Sequence, residues 1–188
     1  DLIYTKSDEE NIIFVQQYMQ SESEFDLRGK SVRLQQTTNY PYDGKLNIKY
    51  YGEDAKIAVR IPEWSENYCE ISQNGYAYYD VTDGGEIILD FGMPVYLVES
   101  NPKVEANCGK YAVMRGPIVY CMEGIDNGDS LRDIITDTSF FTEKADDELG
   151  VISLHTTGKR RKPFENRSLY QKAKYEFEDI PVKFIPYY

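Results

Sequence analysis

The stretch Lys45-Leu46-Asn47-Ile48-Lys49-Tyr50-Tyr51-Gly52-Glu53-Asp54-Ala55-Lys56-Ile57-Ala58-Val59-Arg60-Ile61 decides the fold. Leu46, Ile48 and Tyr50 alternate with Lys45, Asn47 and Lys49. After a polar turn at Tyr51 to Asp54, Ile57, Val59 and Ile61 alternate with Lys56, Ala58 and Arg60. Successive side chains of a strand point to opposite faces, so each run reads as a strand with one face on a core and one wet. The same period recurs at Val32 and Leu34, at Ile87, Leu89 and Phe91, and more loosely at Ile12, Phe14 and Tyr18. No long segment holds a period of 3.6. Arg28-Gly29-Lys30, Tyr42-Asp43-Gly44, Asn74-Gly75 and Asp83-Gly84-Gly85 punctuate the runs, and Asn74-Gly75 predicts a type I′ hairpin. The fold class expected is all-β: two antiparallel β-sandwich-like units with little helix. Ile57, Val59, Ile61, Ile87, Leu89 and Phe91 are expected on a shared inner face.

The apolar run Val95 to Val98 ends in Glu99-Ser100-Asn101-Pro102, and a new run starts at Tyr111. This places a first sandwich domain at 1–105 and a second at 106–188, the latter truncated at its C-terminal end. Thr142 to Arg167 carries Lys159-Arg160-Arg161-Lys162 and reads as a long exposed loop. Ser130 to Thr138 fits either a short helix or a strand. The apolar ends, Asp1-Leu2-Ile3-Tyr4 and Phe184-Ile185-Pro186-Tyr187-Tyr188, read as an internal piece of a longer protein.

A chain of 188 residues buries enough surface to fold without a disulfide or metal. Its 41% hydrophobic and 28% charged residues are a globular composition. The formal charge of -11 repels phosphate backbones and anionic headgroups, which argues against nucleic acid or a membrane as partner. Cys69, Cys108 and Cys121 match no zinc or redox spacing, and each beside an apolar run reads as a buried, inert thiol. For a bacterial source the compartment stays open between cytoplasm and periplasm.

Little in the chain looks catalytic. His155, the only histidine, has no oriented base beside it in sequence. Asp126-Asn127-Gly128-Asp129 and Asp146-Asp147-Glu148 could hold calcium, but lack a full ligand spacing and read more simply as solvated turns. Asn166-Arg167-Ser168 is a formal glycosylation sequon. Tyr76, Tyr78 and Tyr79 lie together, as do Tyr40 and Tyr42. Tyr76 and Tyr78 share a strand face and are the candidate sugar-contacting residues, against the ordinary reading of tyrosines packed on a sheet. No catalytic or metal-ligating residue is assigned.

Longer strings carry a resemblance. Val59-Arg60-Ile61-Pro62-Glu63-Trp64-Ser65, Phe91-Gly92-Met93-Pro94-Val95, Met114-Arg115-Gly116-Pro117-Ile118-Val119-Tyr120-Cys121-Met122-Glu123 and Phe184-Ile185-Pro186-Tyr187-Tyr188 follow one another in order. The series resembles the C-terminal half of glycoside hydrolase family 127, the β-L-arabinofuranosidase family, over nearly the whole chain. The resemblance implies a parent with an N-terminal catalytic (α/α)6 barrel, retaining hydrolysis by a zinc-bound cysteine, and a glutamate acid/base. That catalytic set includes an adjacent Cys-Cys pair, which this chain lacks. The implied zinc therefore belongs to the barrel, with no cofactor in this chain. The chain is expected to be inactive alone and to support the barrel, its partner in the same polypeptide. Arg60, Trp64, Arg115 and Tyr120 are the candidate structural or interdomain positions. The alternative is an independent carbohydrate-binding module using exposed tyrosines.

Overall fold

The computed structural model describes residues 3–68, 73–162, 169, 170, 172 and 176–187. The chain is all-β and divides into two compact units. One comprises Asp1–Tyr96 with Arg115–Pro117, the other Leu97–Met114 with Ile118–Tyr188.

The first unit holds β1 (Tyr4–Ser7), β2 (Ile12–Val15), β3 (Ser21–Leu27), β4 (Lys30–Thr38), β5 (Lys45–Tyr51), β6 (Ala55–Arg60), β7 (Tyr76–Val81) and β8 (Glu86–Asp90). These form two four-stranded sheets, ordered β1-β2-β6-β7 and β3-β4-β5-β8. The polar turn after Tyr51 carries the chain from one sheet to the other. Ile13, Val15, Ile57 and Val59 from the first sheet and Leu34, Leu46, Ile48 and Tyr50 from the second are fully buried in one cluster. Ile57, Val59, Ile61, Ile87, Leu89 and Phe91 all join it. They reach the core from facing sheets, however, since Ile57 and Val59 lie on β6 while Ile87 and Leu89 lie on β8. Alternation reveals which residues point inward but not which sheet presents them. One pairing departs from the antiparallel pattern: β2 runs parallel to β6, with Ile13 opposite Ile57. Asn74 and Gly75 both take positive φ, 53° and 80°, and Gln73 and Tyr76 exchange backbone bonds of 2.8 and 3.0 Å. This is the primed two-residue turn that Asn-Gly predicts.

The second unit contains β9 (Val95–Glu99), which enters from the first, β10 (Tyr111–Arg115), β11 (Ile118–Cys121), a single-turn helix α1 (Gly124–Asn127), β12 (Ile134–Thr136), β13 (Thr142–Asp146), β14 (Val151–Arg161) and β15 (Phe177–Pro186). Seven strands make one sheet, ordered β12-β14-β15-β11-β10-β9, and β13 also pairs with β14. β12 and β13 share that edge end to end, against Gly158–Arg160 and Val151–His155 respectively.

The stretch expected to be a long loop is thus largely strand, and β14 is the longest of the described strands. Its inward residues disguise it: Ser153, Leu154 and Thr156 are buried, and two of the three are polar. Thr156 Oγ1 donates to the Asp137 carbonyl at 2.9 Å and Ser153 Oγ to the Lys144 carbonyl at 3.2 Å, so burial leaves neither hydroxyl unsatisfied. Ser130 to Thr138 resolves into a 3₁₀ turn at Leu131–Asp133 followed by β12. No helix among the described residues is long and apolar enough to cross a membrane.

Candidate functional site

The outer face of the β1-β2-β6-β7 sheet carries Tyr76 and Tyr78, the candidate sugar-contacting pair, while Tyr79 turns to the core. Directly opposed residues of a sheet project to the same side, and Arg60 opposes Tyr76 while Ala58 opposes both Tyr78 and Phe14. Tyr76 meets Phe14 edge-on at 5.4 Å and lies 6.5 Å from Tyr78. Ala58, between these rings, is fully buried on a face that would otherwise be wet. Tyr76 is half-buried and its hydroxyl donates to Gln16 Oε1 at 2.6 Å; Tyr78 remains exposed. Gln16 Nε2 in turn donates to Thr5 Oγ1 at 3.0 Å.

Beyond Gln16 and Arg60 the face opens into a cleft of about 530 Å³, whose lining includes Gln17, Tyr18, Tyr40, Arg60, Glu63 and Trp64. Each wall is fixed from beneath. The Trp64 turn closes through Ser65 N–H to the Pro62 carbonyl at 3.0 Å. Ser65, fully buried, donates its hydroxyl to the Phe91 carbonyl at 2.9 Å. Phe91 then packs against three rings, Trp64 at 6.3 Å, Tyr18 at 4.9 Å and Tyr68 at 5.8 Å. Gln36, fully buried at the inner end of the Val32-Leu34-Gln36 alternation, donates to Tyr4 Oη at 2.7 Å and to the Gln17 carbonyl at 3.3 Å. That amide pins the backbone at the cleft rim. Sequence reading passed over it, because a lone glutamine on an inward register gives no chemical signal of its own.

The cleft is electrostatically mixed. Burial pushes the phenols of Tyr18 and Tyr40 above the ordinary tyrosine range, and Arg60 opposes the rise at both. Both therefore stay protonated at neutral pH and can donate as well as accept. The Tyr18 hydroxyl is buried and makes no hydrogen bond among the described residues. Arg60 and Glu63 are exposed, and the Arg60 guanidinium has no hydrogen-bond or ion-pair partner among the described residues.

The other sequence candidates fall elsewhere. Arg115, in the first unit, is buried and donates to the Tyr42 carbonyl at 3.3 Å. Tyr120, in the second, is a core residue whose hydroxyl donates to the Ile152 carbonyl at 2.8 Å. Cys108 is exposed, which corrects the expectation of a buried thiol: it follows a 3₁₀ turn at Glu105–Asn107 that buries nothing. Cys121 is half-buried, and Cys69 and the sequon asparagine Asn166 lie outside the described residues. The two acidic turns serve one lysine. Lys183 Nζ lies 3.0 Å from Asp126 Oδ1 and 2.9 Å from Asp146 Oδ2. No group of three or more His, Cys, Asp or Glu side chains among the described residues could hold a metal.

His155 Nε2 lies 3.0 Å from Ser153 Oγ, but Ser153 is buried and gives its proton to the Lys144 carbonyl. This is a structural contact rather than a nucleophile with its base. Burial holds His155 below the ordinary imidazole value; Lys144 and Lys183 add to the depression, and Asp126 and Asp146 oppose it. The unfolded chain therefore binds the imidazole proton more readily than the folded one. The stability this group contributes is present above an unfolded value of about 6.5 and is lost as pH falls toward the lower folded value. Thermal melts from pH 7.5 to 5 should show a decline that flattens in His155→Gln. No other histidine titrates in that window, so an unchanged decline in the variant would assign it elsewhere.

Residues 12–88 match the β-L-arabinofuranosidase GH127 middle domain, and residues 95–188 match the glycoside hydrolase family 127 C-terminal domain. A non-reducing end β-L-arabinofuranosidase of Bifidobacterium longum is 30% identical over 143 residues, which are 66% of this chain and 21% of that protein. A GH127 β-L-arabinofuranosidase of Geobacillus stearothermophilus T6 superposes with a TM-score of 0.84 at 30% identity, over 98% of this chain and 32% of that one. A GH127 β-arabinofuranosidase gives 0.77 at 26% identity, over 98% and 33%. The fold and these matches define a β-rich middle and C-terminal region, laid out in the same order as in larger proteins. The chain belongs to glycoside hydrolase family 127. It spans about a third of the length of the solved relatives and about a fifth of the curated one.

Proposed function

We propose that this chain is the non-catalytic β-sandwich region of a glycoside hydrolase that acts on arabinose-containing glycans, and that it supports a catalytic (α/α)6 barrel in the same polypeptide. One observation carries the reading: two family domains match end to end over a chain that spans only a third of its solved relatives. Glycoside hydrolysis needs two groups placed across a scissile bond, and the described residues gather no such pair around the cleft. Zinc, on this reading, is held outside these residues. The exposed Cys108 and the half-buried Cys121, whose thiol burial pushes up, offer no converging donor set.

The support works through contact. Interfaces between domains of one chain bury about 600–1,500 Å², and losing such a contact removes a sizeable share of a domain's stability, itself on the order of 5–15 kcal/mol. The test is to produce the longer enzyme, its barrel alone and residues 1–188 alone. The expected result is a barrel that melts earlier than the full enzyme and loses activity on an aryl β-L-arabinofuranoside, with residues 1–188 folded and inactive. A barrel that melts and turns over like the full enzyme would remove the supporting role.

A further inference from the structure

We propose that the cleft between Tyr18, Tyr40, Arg60, Glu63 and Trp64 is a carbohydrate-binding site that takes a neutral oligosaccharide. Three observations converge on it. The cleft, about 530 Å³, is of the size that holds a small ligand, and its aromatic walls are held rigid from the core side by Phe91 and Ser65. Its polar groups are of both kinds: a guanidinium without a partner among the described residues, an exposed carboxylate, and two phenols that stay protonated. Sugar hydroxyls donate and accept at once, so a mixed lining suits them better than it suits an anion, which Glu63 would repel. Finally, the Tyr18 hydroxyl is buried at this wall with no hydrogen-bond partner among the described residues, an unmet hydrogen bond that an ordered ligand hydroxyl or a trapped water would satisfy.

The face leading to the cleft extends the site. Arg60 opposes Tyr76, Tyr76 bonds Gln16 at the cleft edge, and Tyr78 lies exposed one ring further on. Rings in this order can stack the C–H faces of successive sugar units, while Arg60 and Glu63 hold hydroxyls at the cleft end. A protein segment docked in the cleft is the competing occupant. The lining favours sugar because its exposed charges are of opposite sign and its rings, buried at Tyr18 and half-buried at Tyr40 and Trp64, form no large exposed apolar patch.

The site is tested by amide chemical-shift titration of residues 1–188 and of the longer enzyme with arabinobiose, with xylobiose, and with glucuronate as a charged control. Weak, saturable binding of a neutral disaccharide is expected, with Kd on the order of millimolar, together with shifts at Tyr18, Tyr40 and Trp64. Arg60→Ala and Glu63→Ala change exposed side chains, so their melts should match the parent while affinity falls about tenfold or more. Either neutral sugar supports the site, whereas the catalytic reading rests on barrel stability and turnover and stands or falls separately. No shift up to on the order of 50 mM, binding indifferent to both variants, preference for glucuronate, or binding that disappears in the longer enzyme would each overturn it. The last outcome would give the cleft to domain docking.

Discussion

Replacing Asn127 by leucine should lower the stability of the second unit by about 3 kcal/mol or more. Asn127 ends α1 and is buried, with its side chain between two backbones. Its Nδ2 donates to the Glu123 carbonyl at 3.1 Å and to the Lys183 carbonyl at 2.8 Å, and its Oδ1 accepts from the Lys183 N–H at 2.9 Å. Leucine fills a similar volume but takes this partner from the Lys183 N–H and carbonyl, at about 1–3 kcal/mol for each one that stays buried, while the Glu123 carbonyl keeps its bond from the Asn127 N–H at 3.0 Å. In a unit of this size each kcal/mol shifts the melting midpoint by roughly 4–8 °C, so calorimetry should show a fall on the order of 10 °C or more. Asn127→Asp, which keeps the acceptor and loses one donor group, should fall between parent and leucine. A leucine variant that melts within a degree or two of the parent would mean that α1 is not fastened to β15 through this side chain.

Gly44→Ala should be among the most damaging single-methyl changes in the first unit. A Cβ at Gly44 would stand 2.4 Å from the Gly92 carbonyl oxygen and 2.9 Å from the Gly92 nitrogen. Both are backbone atoms, and Phe91 N–H is already bonded to the Gly44 carbonyl at 2.9 Å, so neither strand can give way without breaking that bond. Overpacking of this kind costs about 1–3 kcal/mol and more where the neighbour is rigid; the upper end is expected here. Gly75→Ala is the control. Its φ of 80° is unfavourable for alanine, but nothing stands within 4 Å of the new carbon, so its cost of about 1–2 kcal/mol is conformational. Urea unfolding of the two variants should rank Gly44→Ala as the worse. The reverse order would show that backbone conformation, not space, governs these turns.

The contrast between β6 and β14 explains how far the sequence could be read. In β6 the inward residues are aliphatic and the outward ones largely polar, so period two is visible in Ile57, Val59 and their neighbours. In β14 only Leu154 is an aliphatic buried residue; the rest of its burial falls on Ser153, Thr156 and Gly158, whose fit depends on hydrogen bonds and close packing from partners distant in sequence. A Cβ on Gly158 would meet Val182 at 2.8 Å. The same logic divides the candidate site. Arg60 and Trp64 stand in a distinctive string, and Tyr76 and Tyr78 in an obvious pair. Tyr18 reaches the same cleft only because β2 lies beside β6, a parallel pairing that no local pattern announces. The acidic turns were legible as charge but not as the two sides of a clamp on Lys183, since that lysine lies far along the chain.

That parallel pairing also sets a timetable for synthesis. The β1-β2 hairpin leaves the ribosome early, yet its outer neighbour β6 is translated only after β3, β4 and β5. At roughly 5–20 residues per second the hairpin waits on the order of seconds with Ile13 and Val15 uncovered. The β3-β4-β5 meander, joined by adjacent antiparallel pairs, can assemble first and offer those side chains a provisional surface. Slow codons placed after β5 would lengthen this exposed interval, whereas the same pause after β6 would allow the parallel pair to close before the remaining strands arrive.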